Sequence, residues 1–201
     1  MQATTWWRRL DRHSLELIIG LALLGVGLSV LFPLLGVVGL IPPQETREVT
    51  LNSDTEVTAP SGDGVSLSGT RQAELTVDDP GLLDRVLLAG PGIVQGVLVL
   101  VVLTLLMQIA LTFSGSGEFF VRRNTRRLYT IAVGLLLIAT VVPALEVVTT
   151  TALVSGTPVE QAVVITYRLS GVTVLLSFLA VALAGAFAHG TRLRADTEGL
   201  V

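Results

Sequence analysis

Gly92 to Phe113 reads GIVQGVLVLVVLTLLMQIALTF, without a single charge. As a helix at about 1.5 Å per residue, this stretch reaches across the ~30 Å hydrocarbon core of a bilayer. A water-soluble helix keeps one polar face, and this run has none. Three more runs of the same kind flank it. Leu15 to Ile41 reads LELIIGLALLGVGLSVLFPLLGVVGLI, Leu128 to Val154 reads LYTIAVGLLLIATVVPALEVVTTTALV, and Leu169 to Ala188 reads LSGVTVLLSFLAVALAGAFA. The first is too long for a signal-peptide core and no small-x-small cleavage site follows it, so we expect an uncleaved first span kinked at Pro33.

The composition agrees. Hydrophobic residues make up 51% of the chain and charged residues 14%, where a soluble domain carries about a quarter charged residues. The absence of cysteine excludes disulfides, thiolate metal sites, cysteine nucleophiles and palmitoylation. All thirteen basic residues are arginine, which we read as the composition bias of a GC-rich bacterial genome. No zinc-ligand spacing, nucleophile elbow, phosphate loop or Ser/His/Asp set can be assembled, so neither an enzyme nor a cofactor is expected.

Charge is segregated along the chain, and the segregation sets an orientation. Arg8, Arg9 and Arg12 precede the first run, Arg122, Arg123, Arg126 and Arg127 lie between the second and third, and Arg192 and Arg194 follow the fourth. The connection from Pro42 to Pro91 holds three arginines against nine acids. Arginine excess marks the cytoplasmic side. We therefore expect both termini in the cytoplasm of a cell-membrane protein, Trp6 and Trp7 as inner-leaflet anchors, and residues 42–91 outside. The fold class that follows is an all-α integral membrane protein with four transmembrane helices. Between helices one and two it carries a small extracytoplasmic β-hairpin and short-helix insertion.

The domain order is a cytoplasmic segment 1–14, span 15–41, insertion 42–91, span 92–113, basic loop 114–127, span 128–154, outer loop 155–168, span 169–188 and tail 189–201. Within the insertion, TREVTLNSDTEVT (Thr46 to Thr58) and VSLSGTRQAELTV (Val65 to Val77) alternate with period two around the turn-rich APSGDG, Ala59 to Gly64. Short antiparallel strands follow from that pattern. Asp79 is expected to cap a short helix with Pro80 at its first position, and Gly90-Pro91 to turn the chain into the second span.

Charged residues in a span are candidates for function. Glu146 is the foremost, eighteen residues beyond Leu128, or about 27 Å at ~1.5 Å per residue. That depth is near the outer interface, where a carboxylate reaches water. The sharper reading is an ion or proton site beside Pro143. Arg122, Arg123, Arg126 and Arg127 are expected to meet anionic headgroups or a protein partner. The carboxyl-terminal acids Asp196 and Glu198 are expected to dock on them. Asn124 can cap the third helix. Ala184, Gly185 and Ala188 suit close helix packing.

Two segments carry a resemblance. GEFFVRRNTRRLYTIA (Gly117 to Ala132) and FAHGTRLRADTEGLV (Phe187 to Val201) resemble motifs of the small bacterial four-span proteins grouped as domain-of-unknown-function family 2975. The matching positions are Phe120, Asn124, Arg126, Arg127, Leu128, Gly190 and Leu193, with Phe119 standing where proline is expected and Leu200 where threonine is common. The resemblance implies no established activity, and it suggests signalling through neighbouring helix-turn-helix regulators.

These readings converge on a non-enzymatic membrane accessory or signalling protein. It would sense or bind through the insertion and contact a cytoplasmic regulatory protein through its arginines. The alternative is a small transporter or channel subunit, disfavoured by the scarcity of polar groups at depth. Expected partners are membrane lipids, that regulatory protein and a second copy of the chain, with no direct nucleic-acid binding.

Overall fold

A computed structural model describes the backbone of residues 3–54, 70–115 and 121–198, and the side chains of 17–54, 70–112 and 121–192. The APSGDG cluster, Phe119, Phe120 and Leu200, and the side chains of Trp6, Trp7, Arg8, Arg9, Arg12, Leu193, Arg194, Asp196 and Glu198, lie outside these residues. The order is α1 (Ala3–Val38), β1 (Thr46–Thr50), β2 (Gln72–Thr76), α2 (Leu82–Gly115), α3 (Arg122–Val154) and α4 (Gly171–Glu198). All four helices contain a stretch long and apolar enough to cross a membrane. This is a multi-pass membrane protein by helix length and composition, with a two-stranded hairpin between helices one and two.

The chain forms two compact units. One comprises Met1–Leu31, Gly92–Val142 and Leu169–Val201, the other Phe32–Pro91 and Pro143–Arg168. Each of α1, α2 and α3 changes unit beside its one proline: Pro33, Pro91 and Pro143.

The first unit is built on α3. Val102 and Ile109 of α2, Leu128, Ile131 and Ala132 of α3, and Ala180 and Ala184 of α4 form its buried cluster. Small residues let backbones approach, which is how helices associate without a hydrophobic driving force between them. Ala184 is fully buried, and Ser177 donates to the Ala132 carbonyl at 3.0 Å. Gly185, expected in the same seam, instead faces open space. Outward, Leu175, Phe178 and Leu179 are more than half exposed, as lipid-facing residues are.

Helix α1 comes close to α2 at Gly96, where a methyl group would overlap the Val30 side chain. Val30 is buried, and a helical valine has one strongly preferred χ1 rotamer, so it yields poorly. We expect Gly96→Ala to destabilise the protein by about 1 kcal/mol, overpacking outweighing alanine's better helix propensity. Val30→Ala in the same chain should restore most of the loss, as read by unfolding in mixed micelles. A Gly96→Ala chain as stable as the parent would remove the close approach from the account.

In the second unit, α1 ends three residues before the expected Ile41. Gly39 takes φ +82°, its N–H bonds the Gly36 carbonyl at 3.1 Å, and the Leu40 N–H bonds the Leu35 carbonyl at 2.9 Å. This is a Schellman stop that glycine makes without steric cost, with Pro42 just beyond. The strands pair antiparallel, Thr46 opposite Thr76 through Thr50 opposite Gln72. Arg47 and Val49 share one face of β1, and Val49 is buried.

The expected short helix is not separate. Residues 82–91 are the first turns of α2, which runs unbroken through Pro91. Nor is Asp79 its cap, since Asp79 adopts φ 49°. Gly81 occupies the cap position: its carbonyl accepts from the Arg85 N–H at 3.0 Å, and the Asp84 carboxylate takes the Gly81 N–H at 3.0 Å. That back-bond is half of a capping box. Helix α3 starts earlier than the expected span, at Arg122, and ends at the expected Val154, while α4 starts two residues late, at Gly171, and runs on to Glu198. Ser170 caps α4, its Oγ accepting from the Thr173 N–H at 3.3 Å.

Candidate functional site

The 155–168 connection, expected as a plain loop, adds to the free edge of β1. Leu51 bridges Val163, the Asn52 N–H donates to the Ala162 carbonyl at 2.8 Å, and the Val164 N–H donates to the Thr50 carbonyl at 2.7 Å. The β-branched run Val163 to Thr166 suits that edge. The added edge also walls a cavity of about 420 Å³ within the second unit, open to the surface and more polar than apolar in its lining. Arg47, Glu48 and Thr50 come from β1, Glu146 and Thr150 from α3, and Arg168 from the connection.

Arg47 is the joint of this site. Its Nη1 donates to the Thr149 hydroxyl at 2.7 Å and to the Leu87 carbonyl at 3.4 Å. Leu87 lies four residues before Pro91, so its carbonyl is the one a proline leaves without a helical N–H partner. Arg47 supplies the missing donor. Thr149 is buried and passes its own hydroxyl proton to the Leu145 carbonyl at 2.8 Å. Burial holds the Arg47 guanidinium below its ordinary pKa, while the Glu146 carboxylate acts in the opposite sense. Arg168 Nη2 donates to the Thr50 hydroxyl at 2.8 Å.

Glu146 is thus exposed in the wall of a polar cavity that it shares with two arginines. Sequence reasoning singled out Glu146 and missed Arg47, Thr149 and Arg168. One signal was available. In TREVT the alternation puts Arg47 on the same side as Val49, an inward position where a charge needs a reason.

The four central arginines divide. Arg122, Arg123 and Arg126 are exposed on the first turns of α3. Arg127 is not. Its Nη1 approaches the Gln108 carbonyl (3.1 Å), the Thr112 hydroxyl (3.0 Å) and Asn124 Oδ1 (3.0 Å), tying α3 to α2 within the first unit. Asn124 does not cap the helix. It sits within the first turn, fully buried, and its Oδ1 accepts from Arg127 rather than from a backbone N–H. Val121 stands at the N-cap position, its carbonyl accepting from the Asn124 N–H at 2.9 Å and the Thr125 N–H at 3.4 Å. Among the described residues the Asn124 Nδ2 has no hydrogen-bond partner.

Fold and site together define a multi-pass membrane protein with a polar pocket walled by its hairpin, its third helix and its last connection. No family model, curated protein or solved structure matches the chain. The resemblance to family 2975 therefore rests on the two quoted motifs alone.

Proposed function

We propose that this membrane protein is a non-enzymatic sensor or accessory protein. On this reading the hairpin and the 155–168 connection lie outside the cell membrane and bind a small polar ligand in the Arg47–Glu146–Arg168 pocket. Both termini are cytoplasmic, and Arg122, Arg123 and Arg126 contact anionic headgroups and a cytoplasmic regulatory protein. The observation that carries the proposal is the double attachment of Arg47. The residue lines the pocket and at the same time bonds α2 at Leu87 and α3 at Thr149. A ligand that draws on this guanidinium changes contacts to two long helices at once, and a signal needs such a differential contact. The arginine asymmetry supports the orientation.

A chain without cysteine makes the test clean. Glu48→Cys should react with a membrane-impermeant maleimide on intact cells, and Arg123→Cys only after permeabilisation. A photo-crosslinker at Tyr129, exposed one turn beyond Arg126, should capture a cytoplasmic protein from native membranes. That capture should disappear when Arg122, Arg123 and Arg126 are all changed to glutamine. Labelling of Arg123→Cys on intact cells would overturn the orientation. Identical capture by both chains would overturn the partner contact.

A further inference from the structure

The geometry points to a small zwitterion, a free amino acid or short peptide carrying one ammonium and one carboxylate, as the ligand of the Arg47–Glu146–Arg168 pocket. The inference rests on the pocket being a binding site, as proposed above, and adds the chemistry of what it takes. Arg47, Arg168, Glu48 and Glu146 all line one cavity, Glu48 from the opposite face of β1 to Arg47. Among the described residues none of the four closes an ion pair with another, and the ion pair that does form, Arg71 with Asp54 at 2.9 Å, lies outside the cavity. Opposite charges held in one wall but not joined leave each sign available to a ligand that brings both.

Each sign also has spare bonding capacity. A guanidinium carries five N–H donors in a planar fork suited to a carboxylate. Arg47 uses Nη1 on protein acceptors and Arg168 uses Nη2 on Thr50, so donors remain on both. On the acidic side, Glu48 stands directly opposite Glu74 across the hairpin. Like charges in that position are destabilising, and an ammonium beside Glu48 relieves them.

The rest of the lining narrows the cation. Among the described residues no aromatic lines the cavity, so they supply no cage of the kind by which quaternary ammonium groups are held. Carboxylates and threonine hydroxyls instead accept from the N–H groups of a primary ammonium. The volume of about 420 Å³ falls in the range of small-molecule sites and holds a ligand of dipeptide size with some water.

The test uses the full chain in nanodiscs and three matched probes: L-alanyl-L-alanine, its N-acetyl form without the ammonium, and its carboxamide without the carboxylate. Calorimetric titration should give the zwitterion an affinity at least about tenfold above either single-charge form. Glu146→Gln and Arg168→Gln, both at exposed positions, should each lower that affinity about tenfold. Arg71→Gln should leave it unchanged. Equal or tighter binding of the N-acetyl form, still dependent on Arg168, would make this an anion site and overturn the zwitterion while leaving the pocket as a site. Binding of no probe up to about 10 mM would also overturn it, and the crosslinking experiment would then decide the cytoplasmic contact separately.

Discussion

Arg127→Ala is expected to destabilise the protein by about 2 kcal/mol, the larger effect among the four central arginines. Polar contacts between helices in a bilayer are individually modest, about 0.6 kcal/mol on average and up to ~1.7. Arg127 Nη1 serves three acceptors, two of them on α2, with its two hydrogens, so these contacts together contribute about 1 kcal/mol. The loss is aggravated at Asn124, which is fully buried with Nδ2 already unpartnered among the described residues. Removing Arg127 leaves its Oδ1 bare as well, and a buried group without a partner costs about 1–3 kcal/mol in soluble proteins. Arg127→Lys keeps the charge but loses the rigid fork, so it should recover less than half of the loss. Arg123→Ala, at an exposed position, should fall within about 0.5 kcal/mol of the parent. Unfolding in mixed micelles reads all three variants. Equal stability of Arg127→Ala and Arg123→Ala would reject the tie between α2 and α3.

That division shows where the sequence stops being informative. The spans are legible because lipid imposes length and apolarity on every helix that crosses it. The hairpin is legible because half-burial imposes period two, and Val49 and Ala73 do face one another. The helix starts are less so. Asp79-Pro80 matches a cap followed by a first-turn proline, yet Asp84 reaching back to the Gly81 N–H moves the start along the chain. Pro91 reads as a break because proline removes a helical donor, and nothing local says that Arg47 will replace it. Glu146 was visible as an acid near the end of an apolar run. Its neighbours in the cavity were not, since Arg47 is 102 residues from Thr149 and Arg168 is 118 from Thr50. A single sequence carries no information about such pairs. In the four-arginine cluster, charge count and helical spacing are the same for Arg123 and Arg127, and only the packing of α2 tells them apart.

Arg47→Ala should cost about 3 kcal/mol, and Pro91→Ala should reduce that cost by about 1 kcal/mol. The first figure combines a lost charge-assisted bond to Thr149 with the loss of the donor that Arg47 brings to the carbonyl of half-buried Leu87. Hydrogen bonds to charged groups contribute about 1.5–3 kcal/mol, and a buried carbonyl without a partner costs about 1–3. Thr149 itself remains satisfied, because its hydroxyl still donates to Leu145. The Leu87 carbonyl lacks its helical donor four residues on, because Pro91 stands there without an N–H. Alanine at 91 restores a backbone N–H, closes the helical bond to Leu87, and leaves Arg47 with Thr149 alone to serve. The two substitutions should therefore couple, with the double variant more stable than the sum of the singles predicts. The long 3.4 Å separation of Arg47 Nη1 from the Leu87 carbonyl keeps the expected coupling near 1 kcal/mol. A double-mutant cycle resolves it, since independent sites add within about 0.3–0.5 kcal/mol. Additivity inside that margin would mean that Arg47 does not stand in for the amide proton that proline lacks, and its role in the second unit would reduce to the Thr149 bond and the pocket.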